Sequence, residues 1–275
     1  MNNELAPELN YASAGSGPPL VFLHPIAMRL EFWEEVATRL NTKYRTVRVD
    51  LRGHGRNMPT EEPFSTHDLA GDVIALVRRL GLPPAVFVGC SLGGMVAQGV
   101  AIAAPELVAG LVLSNTTHRT SEAAAEVMRG RARRSLEDLP GAVASDIERW
   151  FTPGFRASAP EKVEEVRQWA LANNPRTVAN GWLAIAALDN EQAAGRIEVP
   201  VLAMTGSLDP AAPPEATRAM QRAFPNARYL ELPGAGHFAP IEQPQAYADA
   251  VASLAREAAE RVLENDIERK MRSAS

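Results

Sequence analysis

Cysteine is nearly absent from this sequence of 275 residues, since Cys90 is the one example. An internal disulfide is therefore excluded, and this usage is typical of a reducing, cytosolic setting. Long basic runs are absent as well, and the formal net charge is −5. The densest basic cluster, Arg131, Arg133 and Arg134, is interpreted as a solvated helix face. We therefore predict no nucleic-acid partner, because such proteins carry an extended basic patch.

Apolar segments long enough for a membrane are also missing. The most apolar long stretch, residues 96–114, is interrupted by Gln98, Pro105 and Glu106, which argues against a membrane span. Residues 1–19 lack the basic start and apolar run of a signal peptide. We expect no membrane partner and a cytoplasmic location. The sequence has no H-E-x-x-H motif and no paired cysteines, so we predict no metal site and no cofactor.

The pattern of apolar residues predicts an α/β fold. Hydrophobic residues make up 46% of the chain and charged residues 22%, an ordinary globular composition. Short apolar runs alternate with helical patterns, which indicates a mostly parallel, doubly wound sheet covered on both faces. The runs occupy residues 20–24, 46–50, 85–89, 110–115, 201–206 and 228–232.

Two early helices and one late helix have clear signals. A helix is predicted over residues 31–40, and another over residues 65–80. In the second, Ser65 is the expected N-cap, Asp68 completes a capping box and Gly81 follows the end. From residue 245 the chain has a single long helical pattern.

The alternation of strands and helices stops after residue 116. Residues 117–190 contain no predicted strand, and their pattern indicates short helices interrupted by Pro140, Pro153, Pro160 and Pro175. The alternation returns near residue 199. We therefore predict a discontinuous core, residues 1–116 and 191–275, with an inserted helical cap over residues 117–190.

A nucleophile motif follows the third apolar run. Gly89-Cys90-Ser91-Leu92-Gly93 is a G-x-S-x-G pattern between a predicted strand and a predicted helix. So sharp a turn requires strained backbone angles at Ser91, and glycines on both sides leave the space that the turn needs. The pattern therefore predicts Ser91 as nucleophile and the Leu92 N–H as an oxyanion donor. Cys90 is expected to be a small packing residue.

A serine nucleophile needs a base and an acid, and both have candidates after the fifth run. His237 lies in the glycine-rich loop 234–238, which follows the last predicted strand, and is the expected base. Asp209 lies in the loop after residues 201–206 and is the expected acid, giving the chain order Ser, Asp, His of nucleophile-elbow hydrolases. Asn115, at the end of the preceding strand, cannot supply the charge.

The other four histidines have weaker claims to catalysis. His24 ends the first apolar run and is expected to shape the loop that follows. His54 lies in a tight loop and is expected to be structural, and His67 is expected at the surface. His118 follows a strand end, so its place in the site stays open.

Together these motifs resemble the α/β-hydrolase superfamily across nearly the whole chain. The matching stretches are residues 23–25, 50–55, 89–94, 206–209 and 236–237, with Glu242 and Pro244. The resemblance implies an α/β-hydrolase fold and a second oxyanion N–H at Ile26, beside that of Leu92. This chain has Pro25 where the family usually has glycine, so the shape of that loop is expected to differ.

Within the superfamily the chain is most similar to 3-oxoadipate enol-lactonases and to amidomethylene-succinate hydrolases. The similarity lies in residues 91–95, 113–116, 149–151 and 186–189, and it implies a small lactone, ester or amide bearing carboxylates. Such a substrate needs cationic partners. We expect contacts from Arg29, near the oxyanion loop, and from the roof of the site, with candidates His118, Arg131, Arg133, Arg134, Arg149 and Trp150.

Three alternatives share the same residues. A general carboxylesterase would have an apolar pocket, and a hydrolase of carbon–carbon bonds in meta-cleavage products would use the same triad. A non-catalytic ligand receptor on this fold is the third, and the intact set of Ser91, Asp209 and His237 argues against it.

Overall fold

The protein was analysed as a computed structural model, which describes residues 8–273. Its sheet has seven strands in the order β1-β3-β2-β4-β5-β6-β7. All neighbouring strands are parallel except β1, which pairs antiparallel with β3. The predicted, mostly parallel sheet is therefore confirmed. The strands are β1 Tyr11–Ala14, β2 Pro19–Leu23, β3 Arg45–Val49, β4 Ala85–Cys90, β5 Val108–Ser114, β6 Val201–Gly206 and β7 Ala227–Leu232.

All six apolar runs form strands, with ends shifted by at most two residues. Every residue of β2, β4 and β6 is buried. Successive side chains of a strand point to opposite faces, so both faces of the central sheet are covered. Strand β1 was not predicted, because its sequence Tyr-Ala-Ser-Ala forms an exposed edge without an apolar run.

The helices between the early strands follow the predicted signals. In α2, Thr66–Arg79, the Ser65 hydroxyl accepts from the Asp68 N–H at 3.1 Å, and the Asp68 carboxylate accepts from the Ser65 N–H at 2.7 Å. The predicted capping box is thus confirmed, and Gly81 follows the helix with φ +59°. The helix predicted over residues 31–40 divides into a 3₁₀ turn, Leu30–Trp33, and α1, Glu34–Leu40.

Residues 117–190 leave the sheet after β5 and return before β6. They form the helices α4 Glu122–Glu137, α5 Leu139–Trp150, α6 Pro153–Ser158, α7 Pro160–Leu171 and α8 Pro175–Ala186. A single antiparallel bridge between Arg119 and Asp189 joins the two ends of this segment. That bridge was not predicted, because isolated pairing has no periodic signal.

The remaining helices complete the sheet's covering. They are α3 Leu92–Ala103, α9 Glu191–Ala194, α10 Pro214–Gln221, α11 Ala239–Glu242 and α12 Pro244–Ser273. The predicted final helix is confirmed as α12. None of the described helices is both long enough and apolar enough to cross a membrane.

Candidate active site

Ser91 stands on a strained turn between β4 and α3. Its backbone angles, φ 53° and ψ −118°, are those of a residue held in a sparsely populated region. A side chain on Gly89 would overlap the carbonyl of Gly93, and one on Gly93 would overlap the carbonyl of Leu23 at the end of β2. The predicted strain is confirmed, and the glycines are required because backbone atoms occupy the space that a Cβ would fill.

Neighbouring strand β5 and the residues just after it hold this turn by two hydrogen bonds. The Ser91 N–H donates to the Ser114 carbonyl at 2.9 Å, and the Thr116 hydroxyl donates to the Ser91 carbonyl at 2.7 Å. Cys90 is fully buried beneath the turn, and its burial raises the pKa of the thiol. It does not line the cavity that Ser91 faces, in agreement with its expected packing role.

The loop after β2 passes beside Ser91. Pro25 and Ile26 line the same cavity as Ser91. The positive φ of this loop, 60°, falls on Ala27, so the chain turns there although the preceding residue is proline. Within residues 8–273, the N–H groups of Ile26 and Leu92 donate to no other group.

His24 shapes that loop, as expected. Its Nδ1 donates to the Pro25 carbonyl at 2.7 Å, and its Nε2 accepts from the Leu51 N–H at 2.9 Å. An acceptor role at Nε2 fixes the neutral tautomer with hydrogen on Nδ1. Burial also lowers the pKa of His24. The histidine therefore holds the loop after β2 without a charge.

His237 and Asp209 form a buried hydrogen-bonded pair. Nδ1 of His237 lies 2.9 Å from Oδ2 of Asp209, and the Asp209 side chain is completely buried. The same carboxylate accepts from the Asn115 amide at 2.9 Å and from the Ala211 N–H at 2.7 Å. Burial alone would raise the pKa of Asp209, but His237 and these donors outweigh it and hold the pKa at about 2. The acid is thus ionised at neutral pH.

Ser91 and His237 line one cavity of about 750 Å³. Among the described residues, the Ser91 hydroxyl makes no hydrogen bond, so its contact with His237 Nε2 is not closed. The arrangement provides a hydroxyl, an imidazole and a buried carboxylate in the order that acyl transfer requires.

Glu242 connects the histidine loop to the predicted cap. One carboxylate oxygen accepts from the Gly236 N–H at 2.7 Å, and the other accepts from the Thr152 N–H at 2.7 Å. Phe238 also stacks on Trp150 with ring centroids 4.8 Å apart. Sequence reasoning matched Glu242 to the family but gave it no function, because Thr152 lies 90 residues away.

Some of the expected roof residues face the cavity. His118, Arg131, Arg149 and Trp150 line it, and the Arg131 guanidinium lies over the Trp182 ring at 4.8 Å. Burial lowers the pKa of His118. Arg149 forms a loose ion pair, with its Nη1 4.0 Å from Oδ1 of Asp146.

Other expected contacts lie elsewhere. The guanidinium of Arg29 is held by both carboxylate oxygens of Glu31, at 2.6 and 2.9 Å, and does not line the cavity. Arg134 lines a separate cavity on the outer side of α4 and α5. Arg133 is exposed and pairs with Glu126 at 3.3 Å. The geometry gives no support to the expected substrate contacts of Arg29 and Arg134, because neither side chain lines the cavity that contains Ser91.

The two remaining histidines lie away from the cavity. His54 is fully buried, its Nδ1 donates to the Arg52 carbonyl at 2.9 Å, and burial lowers its pKa to about 3. It is thus neutral and structural, as expected. His67 is exposed on α2.

Comparison with known proteins agrees with this geometry. A family model described as the alpha/beta hydrolase fold matches residues 18–244. A 3-oxoadipate enol-lactonase of Acinetobacter baylyi is 32% identical over 90% of this chain and 92% of its own. From the same organism, an (E)-2-((N-methylformamido)methylene)succinate hydrolase is 27% identical over 89% and 91%. The predicted similarity to these two groups of enzymes is confirmed.

Solved structures give the same result. A thermophilic esterase from Thermogutta terrifontis, with malate bound, superposes with a TM-score of 0.85 at 30% identity and covers 91% of this chain and 93% of its own. The enol-lactonase of Burkholderia xenovorans has a TM-score of 0.85 at 28% identity, covering 90% and 95%. The chain therefore belongs to the α/β-hydrolase fold family, and it is a hydrolase.

Proposed function

We propose that this hydrolase works through Ser91, His237 and Asp209 on a small lactone, ester or amide that bears a carboxylate. The observation that carries the proposal is the buried His237–Asp209 pair beside a strained, glycine-flanked serine in one cavity. Asp209 holds His237 with hydrogen on Nδ1, so Nε2 is free to accept the Ser91 proton. Ser91 Oγ then attacks the substrate carbonyl and forms an acyl-enzyme.

The N–H groups of Ile26 and Leu92 are the proposed oxyanion donors. Within residues 8–273 both are without an acceptor, and Leu92 opens α3, whose dipole favours a negative charge. As the tetrahedral intermediate collapses, His237 gives the proton to the leaving group. Water, deprotonated by His237, then attacks the acyl-enzyme and releases the acid.

The cavity's cations support a carboxylate on the substrate. Arg149 and Arg131 line the same space as Ser91, and a guanidinium binds a carboxylate strongly by paired hydrogen bonds. The enol-lactonase and succinate hydrolase relatives are named for substrates with such groups, and the esterase neighbour is described as malate bound. We therefore favour a small acidic substrate over a neutral one.

The chain's division follows from these roles. Of residues 1–116 and 191–275, those that the structure describes form the core that carries the catalytic residues, and residues 117–190 form a helical cap that roofs the substrate. Hydrogen bonds between the two support the position of the cap on the core. The Asn173 amide donates to the Ala27 carbonyl at 2.9 Å, and the Thr177 hydroxyl donates to the Thr60 carbonyl at 2.9 Å. With its one buried cysteine, the enzyme suits the reducing cytoplasm.

A general carboxylesterase is the second candidate. The observation that favours it is the apolar part of the cavity's lining, formed by Met95, Met128, Trp182, Ile185 and Met220. Such a surface accepts an alkyl or aryl group as readily as a small acid. Both candidates share the catalytic residues and differ only in what the cap selects.

The test is turnover of a substrate panel by the wild type, Ser91→Ala and the matched neighbour Cys90→Ala. The panel holds 3-oxoadipate enol-lactone, an amidomethylene succinate, a meta-cleavage dienol diketone and p-nitrophenyl acetate. Ser91→Ala is expected to lower kcat by about 10⁴–10⁶, as loss of a triad nucleophile does. Cys90→Ala keeps kcat within about threefold, because the thiol does not line the cavity and donates only a weak hydrogen bond to the His237 carbonyl, at 3.9 Å.

The panel separates the candidates. Fast, Ser91-dependent hydrolysis of the enol-lactone or the amidomethylene succinate supports the proposed function, whereas turnover of the dienol diketone favours a carbon–carbon bond hydrolase. Turnover of p-nitrophenyl acetate alone favours the carboxylesterase. Unchanged turnover by a folded Ser91→Ala variant contradicts both.

A further inference from the structure

A second cavity adjoins the proposed active site. It has a volume of about 280 Å³ and lies between the outer faces of α4 and α5. Arg131 and Arg149 line both this outer cavity and the one that contains Ser91. These two side chains therefore lie between the two cavities.

Asp146 is the acidic residue among those that line the outer cavity. It lies on α5 one helical turn before Arg149, with its Oδ1 4.0 Å from the Arg149 Nη1. Its side chain is only 14% exposed, and it makes no hydrogen bond within residues 8–273. A largely buried carboxylate with no hydrogen-bond donor is costly, and Arg149 is the cation closest to it.

Several charged groups face this carboxyl. Arg149 approaches from its own helix, Arg131 and Arg134 share the outer cavity from α4, and His237 acts on it from the active site. Burial raises the pKa of Asp146 to about 7, against the lowering effects of His237 and Arg134. Asp146 is thus neutral below this pH and anionic above it.

We propose that Asp146 is a specificity-determining residue whose carboxylate competes with the substrate's carboxylate for Arg149. In its anionic form, Asp146 draws the Arg149 guanidinium toward the outer cavity and weakens binding of an acidic substrate. In its neutral form, Asp146 leaves the guanidinium to the substrate. The inference rests on the proposed function, because it takes Arg149 as the partner of a substrate carboxylate.

The consequence is a pH dependence confined to acidic substrates. As pH rises from 6 to 8, KM for an anionic ester increases, because more of Asp146 is ionised. A neutral ester has no group for Arg149, so its KM stays constant. The chemical step at Ser91 does not involve Asp146, so kcat follows the same pH profile for the two esters.

The experiment compares p-nitrophenyl acetate with mono-p-nitrophenyl succinate at pH 6 and pH 8. Wild-type KM for the anionic ester is expected to rise about three- to tenfold over this range, a modest charge effect near a protein surface. In the Asp146→Asn variant, KM for the anionic ester is expected to equal the wild-type pH 6 value at both pH 6 and pH 8, and kcat is unchanged. The matched control is Glu148→Gln, an exposed acid on the same helix, which behaves as wild type.

A double variant tests the route through Arg149. Arg149→Gln raises KM for the anionic ester about tenfold, or about 1.4 kcal/mol of binding. Adding Asp146→Asn to Arg149→Gln then leaves KM for the anionic ester unchanged, because the guanidinium for which the two carboxylates compete is absent.

Thermal unfolding reports whether Asp146→Asn folds and whether its carboxyl is strained. The raised pKa means that the folded state binds the proton more tightly than the unfolded chain, so this group lowers stability as pH rises toward and through 7. Asp146→Asn removes that loss. Its unfolding midpoint, relative to wild type, is therefore higher at pH 8 than at pH 6.

Three results overturn the inference, and they differ from failure of the proposed function. Asp146→Asn retains the wild-type rise in KM, or it changes KM for both esters equally, or Arg149→Gln leaves KM for the anionic ester unchanged. In each case Ser91-dependent turnover still supports the catalytic proposal. Turnover that survives Ser91→Ala contradicts the catalytic proposal itself.

Discussion

Asn115 contacts the proposed acid from the end of a neighbouring strand. Its amide donates to Asp209 Oδ2 at 2.9 Å, and the same oxygen lies 2.9 Å from His237 Nδ1. A carboxylate at position 115 would therefore lie within the same hydrogen-bond network. Asn115 also has φ 50°, a conformation that aspartate tolerates nearly as well as asparagine.

Moving the acid by one strand tests this geometry. Asp209→Asn is expected to lower kcat by about 10⁴, as loss of the triad carboxylate does elsewhere. Adding Asn115→Asp then recovers at least about tenfold of kcat, because a negative charge returns beside His237. The control is Asn115→Asp alone, which brings two carboxylates together, raises the pKa of one of them and lowers stability. No recovery in a folded double variant would contradict the assigned network.

The sequence predicted candidate residues more readily than the contacts between them. Ser91, Asp209 and His237 follow recognisable strand ends, and the structure brings Asp209 and His237 into contact. The partnership of Asn115 with Asp209 was missed because the two residues are 94 positions apart and meet only when β5 lies beside β6. Arg29 was misplaced because a glutamate two residues later binds its guanidinium.

At the scale of elements, the tight crossing of β4, α3 and β2 determines the position of Ser91. The backbone of Gly93 lies so close to the Leu23 carbonyl that no side chain fits between them. Gly71, in contrast, lies on the exposed side of α2 with no atom within 4 Å of the position of an added Cβ. A side chain is thus excluded at Gly93 and has room at Gly71.

Alanine substitutions at the two positions should move stability in opposite directions. Gly93→Ala is expected to lower the free energy of unfolding by about 3 kcal/mol or more, because a backbone carbonyl must move. Gly71→Ala is expected to raise it by up to about 1 kcal/mol through helix propensity. Urea unfolding at neutral pH measures both. Equal changes in the free energy of unfolding for the two substitutions would contradict the view that the close backbone crossing requires glycine at position 93.

Elements with strong local signals were predicted well, and those that depend on partners were not. The capping box of α2 and the fully buried strands β4 and β6 each depend on residues within or next to the element itself. Strand β1 has no such signal, because it is defined by its hydrogen bonds to β3. The same holds for the bridge between Arg119 and Asp189.

At the scale of the whole molecule, the site combines parts that lie far apart in the chain. Glu242 bonds the N–H groups of Gly236 and Thr152, so the histidine loop and the helical segment share one carboxylate. Asn173 bonds the loop that carries Ile26. The alternation of strands and helices predicted the sheet and the place of the insertion, whereas the rotation of α4 and α5, which selects the cavity's arginines, depends on packing alone.

The most direct test of the account is to identify the residue that becomes covalently modified. A fluorophosphonate reacts with an activated serine and forms a stable adduct, which peptide mass spectrometry locates. We predict one adduct per chain, on Ser91, formed in proportion to the loss of esterase activity and absent from Ser91→Ala. An adduct on another residue that accompanies the loss of activity, or full activity in a folded Ser91→Ala variant, would contradict the proposed nucleophile.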